Sequence, residues 1–482
     1  MLWTSRSDEW KNEASRFIVI RQAAQPITEP TRVAFVSLGC AKNLVDSEKM
    51  LGQLAEAGCM ITGDESDADV MVINTCGFLE ASRVEADAAI REAVGRKKDG
   101  TLKRVVVAGC LVQRDKEAIL ERIPGVDSLV GTNNRDDIVR AVIGKNGKGK
   151  KRTTDLYLSD YHPFVQLDFA RLRLTPRHYS YLRISEGCDQ KCTFCTIPMI
   201  RGRMHCKPPS IVVAEARELV SDGAVEINLI GQDTTSYGLG EDLIEGGLAG
   251  LLRELNRVDG LGWIRLMYVY PSVLTDEILD AMAESDKVCK YIDIPLQHIN
   301  DSMLKSMHRR ITKKQTEELM NRIRRRIPGV TIRTTMIVGF PGETDAEFQE
   351  LVDFITEFRF DALGVFPYSL EAETPSGRMR DQISQSMKEE RVDALMSAQQ
   401  QVAFDLADER VGSTLSVLVE EKVGANRVVG RHQGQAPQVD SVTVVDRCQA
   451  SPGQFVAARC TGRKDYDLLA AATKVALPVL QR

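Results

Sequence analysis

Six of the eleven cysteines fall into two sets of three, and a chain that uses both must fold so as to gather each set. One set is local. The stretch "RISEGCDQKCTFCTIPMIRGR" holds Cys188, Cys192 and Cys195 in one loop opened by Glu186-Gly187. The other set is dispersed: Cys40 in "SLGCAKN", Cys76 in "NTCGF" and Cys110 in "AGCLV". Each of these closes a short apolar run and has a glycine beside it. Where such runs are parallel strands, their carboxyl ends converge on one crevice. A buried thiol is the simpler reading of any one position. Three strand ends in succession favour a gathered set.

The surrounding pattern supports parallel strands. From Arg32 to about Lys145 the runs "RVAFVSLGC", "DVMVINTCG", "RVVVAGC" and "VDSLVG" alternate with stretches apolar at helical spacing, such as "NLVDSEKMLGQLAEAG". This predicts an open parallel α/β sheet domain over 31–147. "GKNGKGKKRTTD" breaks all periodicity and opens a linker, placed at 148–173. A second βα series fills 174–405, with strands "YLRISEG", "EINLIGQD", "WIRLMYVY", "YIDIPLQ", "TIRTTMIVG" and "ALGVFPYS". Six units fall short of the eight of a closed TIM barrel, so a partial (β/α)6 barrel is expected. The runs "TLSVLVEEK", "SVTVVDR" and "GQFVAARCTG" predict a small β-barrel over 406–476.

Residues 1–30 read as a disordered leader, since "FIVI" is far shorter than a signal peptide's apolar core. No apolar run approaches the roughly 18 residues of a membrane span. A hydrophobic content of 43%, a charged content of 27% and a net charge of −5 fit a cytoplasmic globular protein without bulk attraction to polyanions. There, cysteines serve as metal ligands or buried thiols rather than disulfides.

For the loop set, the alternative is a structural zinc site completed by His205 or Cys206. Zinc favours paired C-x2-C elements and four closed ligands, and only one such pair is present. Three thiolates suit a 4Fe–4S cluster with one iron open to a small molecule, and Phe194 is placed to shield it. The loop follows the first strand of the barrel-like series, at the end where such folds carry active sites. Cys59, Cys206, Cys289, Cys448 and Cys460 lack either arrangement and read as incidental thiols.

The spacing, the aromatic and the position together resemble the radical S-adenosylmethionine superfamily. That resemblance implies S-adenosylmethionine on the open iron and, on reduction, a 5′-deoxyadenosyl radical. "IRTTMIVGFPGETDAEF" is similar to the superfamily element lining the adenosyl side, which makes Gly339 and Glu343 candidate cofactor contacts. A tightly packed strand–turn–helix junction is the plainer reading of the same residues.

A three-Cys domain, a radical core and a terminal β-barrel, in that order, resemble the methylthiotransferases, whose last module is the TRAM domain. The resemblance implies a second 4Fe–4S cluster on Cys40, Cys76 and Cys110, used for sulfur delivery, with an electron donor and a sulfur donor as partners. "SLGCAKNLVDSE", "INTCGFLEASRVEA", "QAPQVDSVTVV" and "KDYDLLAA" look like the branch that modifies the β-carbon of an aspartate in small-subunit ribosomal protein S-twelve, free or in the subunit. The alternative is the branch acting on a modified adenosine of tRNA, which usually has Gln-Met-Asn where this chain has Ala41-Lys42-Asn43. From Ser413 to Arg482 nine Lys or Arg stand against six Asp or Glu, only mildly basic for an RNA-gripping module. The run Arg322 to Arg326 reads as a solvated helix face, and leaves direct RNA contact open. A two-cluster electron carrier is the remaining reading; such carriers normally give every iron a cysteine.

Overall fold

The computed structural model describes residues 30–144, 154–159, 165–240 and 242–473. The expected leader, but for its last residue, and the end of the expected barrel region lie outside them. Among the described residues no helix is long and apolar enough to cross a membrane.

The first sheet is wholly parallel, in the order β2-β1-β3-β4-β5-β6. Its strands are β1 (Arg32–Ser37), β2 (Met60–Thr62), β3 (Val70–Thr75), β4 (Arg104–Gly109), β5 (Ser128–Val130) and β6 (Asp155–Tyr157). All six residues of β3, "VMVINT", are buried, as expected of a central parallel strand covered on both faces. The stretch expected to be a linker behaves differently. It contributes the edge strand β6, and Asp168 within it is buried in an ion network. The Gly/Lys signal marks only the start of that segment.

The second sheet is also parallel, formed by β7 (Tyr179–Arg183), β8 (Glu226–Ile230), β9 (Trp263–Leu266), β10 (Val288–Asp293), β11 (Thr331–Val338) and β12 (Ala362–Pro367) in spatial sequence. It stays open, a partial barrel. One face, with Leu182, Leu229, Leu266, Ile292 and Ile332, packs on the helices. The other face carries Tyr179, Tyr181, Trp263 and Tyr291, which pack against Leu418, Ala436 and Phe455 of the third unit. Val45 of helix α1 (Ala41–Glu56) joins the same cluster. The lumen is therefore covered by both flanking domains.

The third unit is a closed barrel of β13 (Thr414–Gly424), β14 (Arg427–His432), β15 (Thr443–Asp446), β16 (Phe455–Lys464) and β17 (Asp467–Ala472), the TRAM-type barrel expected. The helix Gln385–Glu409 runs past the expected boundary at 405. Two strands escape a reading by alternation. In β14, Gly430 is required because a Cβ there would lie 2.2 Å from the Leu418 carbonyl oxygen of the paired strand. In β17, "DLLAAA" has the composition of a helix. Buried charges dock the barrel: Glu226 takes Arg265 Nε at 2.9 Å and Arg431 Nη2 at 2.5 Å.

Candidate active site

The strands β1, β3 and β4 end in step, with Ser37 opposite Asn74 and Thr75 opposite Gly109. Their cysteines follow at once: Cys40 caps α1, Cys76 succeeds β3, and Cys110 opens the helix Cys110–Asp115. Gly39, at φ +95°, lets the first turn close on the second, since a Cβ there would stand 2.8 Å from Cys76 Cβ. Asn43 braces the same ends, its Nδ2 donating to Leu38 O at 2.6 Å and Thr75 O at 3.1 Å.

The loop set is clamped by backbone hydrogen bonds. Cys188 N donates to Gly202 O at 3.2 Å, and Cys195 N to Cys192 O at 3.2 Å. Thr193 N reaches Met307 O at 3.1 Å, and Thr193 O accepts from Ser376 N at 3.0 Å.

Both sets line one cavity of about 320 Å³. Burial pushes Cys110, Cys188 and Cys195 up to about 12 as free thiols. Yet guanidiniums point donors at sulfur. Arg201 Nη2 lies 3.0 Å from Cys110 Sγ, and Arg309 Nη1 lies 3.5 Å from Cys192 Sγ. A guanidinium cannot accept a thiol's proton, so these contacts suit thiolates, which a bound metal cluster would stabilise in place of the acid form. Among the described residues no group of three His, Cys, Asp or Glu is already drawn together as a metal site. The zinc completers are aimed elsewhere: His205 Nδ1 lies 3.3 Å from Asp242, and Cys206 Sγ accepts from Gly238 N at 3.3 Å. The donor chemistry, two sets of three cysteines on the wall of one cavity with guanidiniums beside two of the sulfurs, suits thiolate-bound iron–sulfur groups. Room for an organic ligand is also present. Gln232 and Gln297 line the cavity with buried, unpartnered Oε1 atoms. Tyr268 and Gln297, two of its wall residues, hold φ of +60° and +78°. Such strain in non-glycine residues is concentrated at functional sites.

A buried ion network joins the two sheets behind the cavity. Asp46 of α1 meets Arg135 at 2.9 Å, Arg183 at 2.8 Å and Arg201 at 2.9 Å. Asp168 meets Arg135, Arg183 and Lys207, each at 2.7 Å. Burial opposes ionisation of Asp46, but Arg183, Arg201 and Arg135 hold its carboxyl down to about 2. Arg201 thus touches the network with one nitrogen and the Cys110 sulfur with another.

The turn at Gly339 and Glu343 is not among the residues lining the cavity. Glu343 is turned back, accepting from Phe340 N at 3.1 Å and Arg391 Nη1 at 3.1 Å. Burial outweighs Arg391 and pushes its carboxyl up to about 7. The turn meets the wall of the site through Phe340, which shares an apolar cluster with Phe194. Sequence reasoning gave no role to Lys42, Arg201, Tyr268 or Arg309. For Lys42 and Arg201, proximity to the cysteine motifs was the available signal; Tyr268 and Arg309 carried none.

Comparison with known proteins agrees with this architecture. Residues 32–131 match the uncharacterized protein family UPF0004, residues 182–355 the radical SAM superfamily, and residues 411–473 the TRAM domain. The fold is similar to that of the radical S-adenosylmethionine methyltransferase TsrM from Kitasatospora setae, with a TM-score of 0.54, 17% identity, and coverage of 80% of this chain and 81% of that one. The ribosomal protein uS12 methylthiotransferase RimO of Geotalea uraniireducens is 42% identical over 441 residues, 91% of this chain and 97% of that protein. The RimO of Bdellovibrio bacteriovorus is 41% identical over 451 residues, 92% of this chain and 98% of that protein. With such identity over nearly the whole length of these relatives, the chain belongs to the RimO family of ribosomal protein uS12 methylthiotransferases.

Proposed function

We infer that this chain places a methylthio group on the β-carbon of an aspartate of ribosomal protein uS12. The observation that carries the reading is the single cavity lined by both cysteine triads. Sulfur insertion at an unactivated carbon needs hydrogen removal and sulfur delivery at one place. In this reading Cys188, Cys192 and Cys195 hold one 4Fe–4S cluster and Cys40, Cys76 and Cys110 hold a second. When bound, the first supplies the electron that cleaves S-adenosylmethionine, and the second presents sulfur.

The chain's own residues keep the two sets together and give the cavity an apolar wall. Asp46 ties α1 to the core through Arg183 and Arg201, so the strand-end cysteines cannot drift from the loop. Phe194 and Ile200 add apolar wall, and exclusion of water protects a carbon radical from side reactions. Arg201 and Arg309 supply positive charge to sulfur on either side.

An electron donor, a sulfur donor and a cytoplasmic setting complete the reading. Direct RNA contact through the run at Arg322 is not part of it. Arg322 and Arg326 are paired to Asp276 at 3.3 and 2.5 Å, which makes the run a braced helix face. Mass spectrometry of uS12 from cells with and without the gene tests the proposal. The aspartate should carry the methylthio group only when the gene is present; an unmodified uS12 alongside a modified tRNA base would overturn it.

A further inference from the structure

Lys42 lies two residues beyond Cys40 and lines the cavity that both triads share. It is only 7% exposed. Its ammonium stands over the Tyr268 ring, 2.9 Å from the centroid. Among the described residues no carboxylate is within ion-pair distance of it. The acidic groups nearby are already matched. Asp293 accepts from Arg333 at 2.9 Å and from Tyr268 N at 3.1 Å. Glu186 accepts from Gln232 at 2.7 Å and from Arg183 at 2.5 Å.

Apart from its six cysteines, the cavity shares this imbalance. Lys42, Arg201 and Arg309 line it, and no Asp or Glu does. Arg201 is answered by Asp46, and Arg309 donates to Pro295 O at 2.5 Å as well as to Cys192. Among the described residues Lys42 has no carboxylate in ion-pair reach: the Tyr268 ring is its close contact, and Cys40, Asp293 and Glu186 act on it only through longer-range electrostatics. A ring attracts a cation, but it does not replace a counter-ion in a dry site. Buried charges are ordinarily paired, so an unpaired one in a ligand cavity marks where an anion belongs.

We propose that Lys42 binds the acidic side chain of the substrate, pairing its ammonium with the carboxylate of the target aspartate and so selecting an acidic residue. This rests on the uS12 reading above and names the group that enforces it. A carboxylate anchored there leaves the adjacent methylene facing the cavity, where hydrogen is removed. The methionine end of S-adenosylmethionine also carries a carboxylate. Lys42, however, belongs to α1, the helix that Cys40 caps, whereas the cofactor is assigned to the loop set on the core.

The test uses the full chain with its clusters reconstituted without air, and two synthetic peptides of the target loop, one with the aspartate and one with asparagine there. The ratio of the two affinities, read by fluorescence anisotropy, cancels general damage to the cavity. The wild type should favour the aspartate peptide about tenfold or more. Lys42→Met should bring the two within about twofold, and Lys42→Arg should retain part of the preference. A Lys42→Met ratio as large as the wild type's overturns the proposal. Weakened S-adenosylmethionine binding in that variant would assign the ammonium to the cofactor instead, and an altered cluster EPR signal would assign it to the metal. A wild type without preference overturns it too. A wild type that prefers the aspartate peptide yet transfers no methylthio group would contradict the function reading and leave Lys42 in its role.

Discussion

The loop triad and the strand-end triad reach the same cavity by opposite routes. Cys188, Cys192 and Cys195 share one loop, closed by Cys195 N to Cys192 O at 3.2 Å and pinned to the core at a single residue between them, where Thr193 N reaches Met307 O at 3.1 Å. Cys40, Cys76 and Cys110 come together only because β1, β3 and β4 end in register. The loop triad therefore depends on its own turn and on the few core contacts that Thr193 makes. The strand-end triad depends on a whole sheet, and its place opposite the loop depends on how that sheet docks. The difference separates what local damage can do from what long-range damage can do.

Removing either triad is the harshest way to break the comparison. Alanine at Cys188, Cys192 and Cys195 together should cut iron from about eight to about four per chain and abolish cleavage of S-adenosylmethionine. Alanine at the three strand-end positions should remove the same share of iron and leave that cleavage in place. Iron analysis of protein prepared without air, with product chromatography, distinguishes the two.

A smaller effect is expected at the docking network. Asp46→Ala leaves Arg183 and Arg201 buried beside an empty position, and breaking such a pair costs about 3–5 kcal/mol. Chemical denaturation should show that loss, and the strand-end cluster should suffer before the loop cluster. Acid should mimic the mutation. Asp46 is held down to about 2 from 3.8, so its contribution is present above the unfolded value and is lost as pH falls through about 2. The shift corresponds to about 2 kcal/mol, and Asp46→Asn should flatten that acid limb of the stability curve.

The five other cysteines should matter least. Serine at Cys59, Cys206, Cys289, Cys448 or Cys460 should leave iron content unchanged. Cys289 and Cys460 are fully buried, so a hydroxyl there should lower stability by about 1–3 kcal/mol in thermal melts. Loss of a cluster from any folded variant would show that the ligand sets are drawn wrongly.

Much of this architecture is legible in the chain because parallel strands announce themselves as short apolar runs. All six strands of the core and β1, β3, β4 and β5 of the first sheet follow that pattern. The edge strands β2 and β6 do not: neither is fully buried, so neither reads as an apolar run, whereas the equally short β5 is buried throughout. Nor do β14, interrupted by Gly430, and the alanine-rich β17. At the site, cysteine spacing and strand-end position identified six residues that line one cavity. The charges around them were hidden, because Asp46, Asp168 and Arg183 are far apart in sequence and each alone resembles a surface residue. Glu343 shows a different limit. A familiar-looking turn says nothing about where its carboxylate points, and this one points at Arg391.

The central claim is that the two triads do separate jobs in one cavity, and Cys76→Ala tests it most directly. Under strong reductant the variant should still convert S-adenosylmethionine to 5′-deoxyadenosine, because the loop triad is intact. It should leave uS12 without a methylthio group, because sulfur delivery needs the strand-end set. Loss of 5′-deoxyadenosine formation in a folded variant, or full methylthio transfer to uS12, would contradict the account.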